Sequence, residues 1–319
     1  MSRSGSAKYG IINCTDISNF DNGKVLKHEN TIAMKEQKML NIMLHNSAMV
    51  KPILLAYDQV NEIDNFIKKH VKSSKPFLDF YFEITQETHE IYKITEPKKV
   101  KQLISLFNKH VERSYIADGH HRAKTCQLLN NTNQQNNAKD TALRDVLTMY
   151  MSWDQLSIYD YNRSIDAFAN YSPIEFMGRL SKYCSIKPLR VAKKPKAKYE
   201  MTMLLYGEWY RLKWRKKIIA MHQDEVVLFD TFLLNKYILG EVLGILNVRE
   251  DTRIRYVDGV SGIEGMEQMI HGNENRVGFC MFPIAANDIK VISEAHLTLP
   301  PKSTWFEPRV KNGVITKSF

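Results

Sequence analysis

The sequence predicts a mixed α/β (α+β) fold, on three observations. Stretches of strand character and stretches of helical periodicity intermingle along the chain instead of forming separate blocks. The composition, 44% hydrophobic and 25% charged, is that of a globular protein and excludes disordered, collagen-like and disulfide-scaffold classes. The 319 residues suffice for one large core or two domains, with no staple from metal or disulfide. No internal repeat is apparent.

The elements follow in order. Residues 9–17 (YGIINCTDI) read as a strand, closed by the turn Asp21-Asn22-Gly23, and 24–31 as an extended segment. Met34, Met39, Leu40 and Met43 lie at helical spacing, whereas 51–57 (KPILLAY) is a buried strand entered through Pro52. A short helix is expected over 58–69, a strand pair over 78–84 and 90–94, and a helix over 96–110 with Val100, Leu103, Ile104 and Phe107 on one face. Tyr115-Ile116-Ala117 is a short strand broken by Asp118-Gly119, and a helix runs over 120–129.

The polar tract 130–137 (NNTNQQNN) reads as a solvated loop, and 143–169 as a mixture of strand and helix. A new set begins near Ser172: a helix to Tyr183, basic strands within 199–215, a strand 226–229 and a helix 232–244. A strand 254–257, a helix 263–270 and a strand 277–283 follow.

The charge balance is 45 basic against 35 acidic residues, +10, and it is not spread evenly. Between Lys187 and Lys217 eleven basic residues face only Glu200 and Glu208, a net of +9. Such a cluster invites nucleic acid, whose binding would be steeply salt-dependent. No helix-turn-helix is apparent, however, and Arg211, Lys213 and Arg215 alternate as one side of a strand. A solvated basic strand pair accounts for 187–217 better than a DNA contact.

Cys14, Cys126, Cys184 and Cys280 are far apart and form no C-x-x-C pair, the usage of reduced, mostly buried thiols. No apolar run approaches the ~18 residues of a membrane span, and MSRSGSAKYG has no apolar leader core. A cytoplasmic location without membrane contact is the expectation.

Three segments carry candidate chemistry. The first, 115–122 (YIADGHHR), is a strand, an Asp-Gly turn and a helix start. This geometry converges backbone N–H groups and the positive end of the helix dipole, which favours an anion such as phosphate. Arg122 can add a bidentate contact, His120 and His121 can donate hydrogen bonds or shuttle protons, and Asp118 can hold Mg2+ or orient a hydroxyl. The plainer alternative has Asp118 as a helix cap and the histidines as satisfied residues. Neighbouring helical histidines point ~100° apart and do not make a metal pair.

The second segment, 27–31 (KHENT), sets a carboxylate beside a histidine in a loop entering a helix, where it can act as a general base or merely cap the helix. In the third, 299–308 (LPPKSTWFEP), Lys302, Ser303 and Thr304 offer phosphate donors beside Trp305 and Phe306. The same run can serve only to tie the C-terminus to the fold.

On Gly10-Ile11-Ile12, residues 22–31 (NGKVLKHENT), Lys35-Glu36, residues 116–122, residues 254–259 and the terminal PPKSTWFEPRVKNGV, the chain closely resembles the family of domain of unknown function 1015. The resemblance spans almost the whole chain, with the motifs in order. It also implies a further N-terminal portion, usual in members and not seen in this sequence, so that a pocket completed by that portion would be impaired or would need a partner.

That family is in turn similar to the ParB/sulfiredoxin superfamily, whose free serine kinases carry a comparable His-Glu loop, helix, proline-led strand and D-G-H-H-R turn. The resemblance implies a ParB/sulfiredoxin-like nucleotide- and phosphate-binding region over 8–150 and a family-specific α/β region over 151–319. It further implies Glu29 as base toward a substrate hydroxyl, Asp118 as metal or substrate carboxylate, and Gly119 to Arg122 as the phosphate cradle. His120 joins Glu29 and Asp118 in the catalytic set. The expected reaction is nucleotide-dependent phosphotransfer, with ATP or ADP and Mg2+, to a small hydroxyl compound such as free serine. Against it stand a ParB-like DNA-associated or regulatory module and a non-catalytic family member.

Overall fold

A computed structural model of the chain describes residues 2–3, 6–135, 141–168 and 172–319. The described chain is mixed α/β and divides into two compact units, one of residues 1–157 with 306–319 and one of residues 158–305. Among the described residues no helix is long and apolar enough to cross a membrane.

The first unit is organised by a five-stranded sheet of β1 (Ile11–Asp16), β2 (Val25–Leu26), β3 (Ile53–Tyr57), β4 (Ser114–Asp118) and β5 (Asp145–Ser152), in the spatial order β1-β5-β3-β4-β2. β5 runs antiparallel to β1 and parallel to β3, β3 antiparallel to β4, and β4 parallel to β2. The central strand β3 is buried at every position, as a strand inside a sheet with covered faces requires of an uninterrupted apolar run.

Helices α1 (Ala33–Asn46) and α4 (His120–Gln135) pack on each other, as do α2 (Asn61–Ser73) and α3 (Pro97–His110). The core joins Ile11, Val25, Met43, Ile53, Leu55, Tyr57, Ile63, Ile116, Ala123 and Tyr150, with Ile315 and Phe319 of the C-terminal segment packed against it. A second sheet holds the hairpin of Leu78–Phe82 and Glu87–Ile91. A cavity of about 940 Å³ is lined by β1, the strand after the hairpin turn, and the apolar side chains of α2 and α3.

The second unit is built on a six-stranded, wholly antiparallel sheet. Its strands are β6 (Tyr161–Asp166), β7 (Cys184–Leu189), β8 (Glu200–Leu205), β9 (Glu208–Trp214), β10 (Ile254–Asp258) and β11 (Arg276–Cys280), in the order β7-β9-β8-β11-β6-β10. Met201, Met203, Leu212, Trp214 and Phe279 point to one core, shared with α5 (Pro173–Leu180) and the helical stretch 230–242. Leu204, Trp209, Val257 and Cys280 point to a second core under α6 (Gly262–Ile270). Alternation along each strand separates the two cores.

Four local expectations are corrected. The tract 130–137 is helical to Gln135, because α4 is held by its buried face of Ala123, Cys126 and Asn130 and continues past it through polar residues; residues 136 and 137 lie outside the described residues. The run 226–229 forms no strand: Leu228 and Phe229 are buried in a loop leading into the helix Asp230–Leu233. Helix 232–244 is replaced by that short helix and a π-helix over Leu234–Val242. The stretch 143–169 is the end of a 3-10 turn (Thr141–Arg144), β5, a 3-10 turn over Trp153–Gln155, a short strand Ser157–Tyr159 and β6, with Ala169 outside the described residues. Among the elements not anticipated are the short helix Lys216–Ala220, the helix Ala286–Glu294, the strand Trp305–Glu307 and strand β7, whose Pro188 is tolerated because β7 is an edge. The cysteines are all free thiols, three of them buried and Cys14 exposed.

Candidate functional site

The strand-turn-helix expected over 115–122 is present. β4 ends at Asp118 and α4 begins at His120, with Gly119 between them at φ +109. A side chain at Gly119 would meet Arg122: a Cβ there would lie 2.8 Å from Nη2 and 3.0 Å from Nε. Glycine thus serves both the backbone angle and the return of the guanidinium beneath the turn. Arg122 is buried. Its Nη2 donates to Asp118 Oδ2 at 2.6 Å and its Nη1 to the Pro52 carbonyl at 2.8 Å, which ties the turn to the entrance of β3. Two of the five donors of the Arg122 fork are thereby engaged within the protein.

The two histidines hold the other candidate loop. His120 Nε2 accepts the backbone N–H of His28 at 3.4 Å, and His121 Nε2 accepts that of Ile32, the N-cap of α1, at 3.2 Å. Adjacent helical side chains diverge, so the pair grips the loop 28–32 at its two ends. An imidazole nitrogen that accepts carries no proton, which leaves His120 Nδ1 as the N–H. That Nδ1 faces Glu29 Oε2 at 3.8 Å. The Glu29 side chain is 35% exposed and so remains within reach of solvent or substrate.

Burial, with His28, His121, Lys27 and Arg122 acting the same way, holds His120 well below its ordinary pKa, so it is neutral at pH 7. Burial alone brings His28 down to about 4. The His28 ring meets that of His120 edge-on at 4.5 Å, and among the described residues neither of its nitrogens has a hydrogen-bond partner.

Asp118 has three cationic neighbours. Besides Arg122, Lys51 Nζ lies 3.6 Å from Oδ2 and Arg309 Nη2 lies 3.8 Å from Oδ1. Burial pushes the Asp118 carboxyl up, but Arg122, Arg309 and Lys51 together outweigh it and keep the group below the usual carboxylate range. This donor set does not fit a metal ion. A carboxylate whose oxygens already face three cations is a poor ligand for Mg2+, because those cations compete for the same oxygens.

Lys51 and Arg309 were not singled out from sequence. The available signals were the lysine before the buried proline-led strand and the arginine inside the terminal PPKSTWFEPRVKNGV run.

Lys302, Ser303 and Thr304 belong to the second unit. Lys302 Nζ reaches the Tyr161 hydroxyl at 3.4 Å and lies over its ring, and Ser303 is buried with its hydroxyl donating to the Pro300 carbonyl at 2.6 Å. Arg163, fully buried, donates to the Lys302 carbonyl at 3.1 Å. Thr304 is half-buried. In the basic stretch, Arg211 and Lys213 are exposed while Leu212 and Trp214 are buried, as expected for one side of a strand. Lys187 stands opposite Arg211 across the β7–β9 pair.

Several solved structures are similar at low identity. SbnI with a C-terminal truncation, from Staphylococcus aureus, is 12% identical, with 94% of this chain and 85% of that chain covered and a TM-score of 0.49. A free serine kinase in complex with AMP is 12% identical over 92% of this chain and 86% of that one, with a TM-score of 0.44. A conserved hypothetical protein from Pyrococcus furiosus is 10% identical over 94% and 93%, with a TM-score of 0.43. No curated protein matches the sequence. Residues 1–234, spanning the His-Glu loop, the Asp-Gly-His-His-Arg turn and the basic stretch, match the family described as Protein of unknown function (DUF1015), and the chain belongs to that family.

Proposed function

We propose that the protein is a nucleotide-dependent phosphotransferase acting on a small hydroxyl compound such as free serine, with ATP or ADP as phosphate donor. The observation that carries the reading is the seating of Glu29: a partly exposed carboxylate, oriented by a neutral His120, on a loop clamped to the first turn of α4. The motif order shared with the ParB/sulfiredoxin-like kinases supports it, and on that basis region 8–150 is assigned the ParB/sulfiredoxin-like role and 151–319 the family-specific one.

In this scheme Glu29 accepts the proton of the substrate hydroxyl as that oxygen attacks the terminal phosphorus. The bond from phosphorus to the leaving phosphate oxygen breaks, and the nucleotide departs one phosphate shorter. His120 is a positioning residue, its Nδ1–H directed at the carboxylate. The backbone N–H groups at the start of α4 meet the developing charge with the positive end of the helix dipole. Asp118 organises the cations around it and is given no metal.

The test is a screen of ATP and ADP against serine, other amino acids and small alcohols, with phosphorylated product read by mass. Glu29→Gln should lower the rate by about 10²–10⁴-fold, the contribution of a positioned general base. A Glu29→Gln protein as active as the parent would remove the assignment.

A further inference from the structure

The cavity of about 940 Å³ in the first unit has no part in the chemistry proposed above: neither Glu29 nor any residue of the Asp-Gly-His-His-Arg turn lines it. Protein interiors leave few voids larger than a water molecule, whereas pockets of roughly 300–1,000 Å³ take small molecules. One wall is β1, an edge strand of its sheet, with Met149 and Tyr150 of β5 beside it. Helices α2 and α3 form another, and Val310 and Ile315 of the C-terminal segment reach the same space.

The apolar lining is that of a core whose walls stand apart. On α3, Val100 and Ile104 line the cavity while 36% and 55% exposed, and no residue of the helix is fully buried. An amphipathic helix ordinarily covers its stripe against the fold. Apolar surface left contiguous and in contact with water marks a binding site.

Two observations narrow the ligand. The lining side chains of fixed charge are Lys8, Asp16, Glu90 and Lys93, two of each sign, so the cavity has no excess charge with which to meet an ionic head group. The polar side chains buried in its walls are paired, with one exception. Thr15 meets Tyr150 at 3.0 Å and Thr148 at 2.7 Å, and His89 meets Glu87 at 3.4 Å. His70, only 8% exposed, has its Nε2 3.0 Å from the Lys93 carbonyl. A carbonyl accepts and cannot donate, so in the neutral ring the proton sits on Nε2 and Nδ1 is an acceptor. That Nδ1 has no partner among the described residues, and a buried acceptor calls for a donor.

We propose that this cavity binds a neutral, predominantly apolar small molecule carrying a hydroxyl. Burial against α3 and β1 holds its body, and its O–H donates to His70 Nδ1. The proposal goes beyond the phosphotransferase reading and does not depend on it.

Cys14 reports occupancy, because it lines the cavity and is the one exposed thiol of the four. The full chain is alkylated with iodoacetamide in the presence of n-octanol, n-octanoate, n-octylamine or toluene, and modification of Cys14 is followed by mass. Calorimetric titrations with the same four probes give affinities. Octanol should slow Cys14 alkylation saturably, at least fivefold, and bind with a negative heat-capacity change. Octanoate and octylamine, ionic at pH 7 with the same chain, should bind at least tenfold more weakly.

Ile104→Glu, at an exposed position, should melt near the parent and weaken octanol at least tenfold. His70→Phe should weaken octanol at least fivefold and leave toluene, which has no hydroxyl, as tight as before or tighter. If His70→Phe does not fold, Ile104→Glu and the comparison of head groups still decide the matter. A parent that does not bind octanol overturns the proposal, as does octanol that binds without protecting Cys14. So do ionic probes that bind as tightly as octanol, a folded Ile104→Glu protein that binds like the parent, or a folded His70→Phe protein that keeps octanol affinity or loses toluene and octanol alike.

Discussion

The surroundings of His28 differ sharply from those of a free side chain. Its ring is buried, its pKa is about 4, and its native form is neutral. In the unfolded chain the same imidazole titrates near 6.5. Between those values the unfolded state takes up a proton that the native state refuses, so stability falls as pH drops from 6.5 toward 4 and is retained above 6.5. The full loss amounts to about 3 kcal/mol. Melting temperatures of the parent should decline across that window, and those of a His28→Phe protein should decline less steeply; identical slopes would contradict the neutral, buried assignment. His120, lowered in the same direction, remains in the variant and sets the residual slope. The adjacency of His28 and Glu29 was legible in the sequence. The burial that silences one and leaves the other partly exposed was not, since it depends on Phe306 and His120 arriving from elsewhere in the chain.

Among the elements, the loop 28–32 depends on its grip by α4. Replacing His121 by Ala leaves the Ile32 N–H without the imidazole that accepts it and releases one end of the loop. Hydrogen exchange of residues 28–36 should accelerate at least tenfold in His121→Ala, while β3 stays protected as a strand of the core. Unchanged exchange over 28–36 would show that the loop is held by other contacts. Helix α3 illustrates the limit of periodicity. Val100, Leu103, Ile104 and Phe107 do share one face, yet no residue of the helix is fully buried, because that face borders the 940 Å³ cavity. The apolar stripe specified the helix and could not specify what lies opposite it. For the same reason the polar tail of α4 read as loop: its register is held by Ala123 and Cys126 in the core, one to three turns earlier.

For the whole molecule, the +10 balance and the family assignment belong to different parts of the argument. Nine net charges lie in 187–217, where Lys187, Arg211 and Lys213 share the exposed side of the β7–β9 pair. Replacing these three by Gln removes three positive charges. It should move the urea midpoint by less than the equivalent of ~1 kcal/mol, as expected for solvated charges and one exposed pair with Glu200. A loss above ~2 kcal/mol would mean that the basic face is structural. The cations that meet Asp118 are elsewhere, in the first unit, and are three residues that no charge count singles out.

What the sequence by itself determined is local. It specified a strand broken by Asp-Gly into a helix at 118–120, a proline-led buried strand, alternation of basic and apolar residues along β9, and family motifs in order. These depend on turn chemistry, on the two side-chain periods and on short-range backbone sterics, all of which act within a few residues. Tertiary structure alone decided that His120 and His121 accept from a loop about 90 residues earlier, and that Lys51, Arg122 and Arg309 converge on Asp118. Such meetings are set by which buried faces pack together, and a hydrophobic pattern states that a face is buried without stating against what.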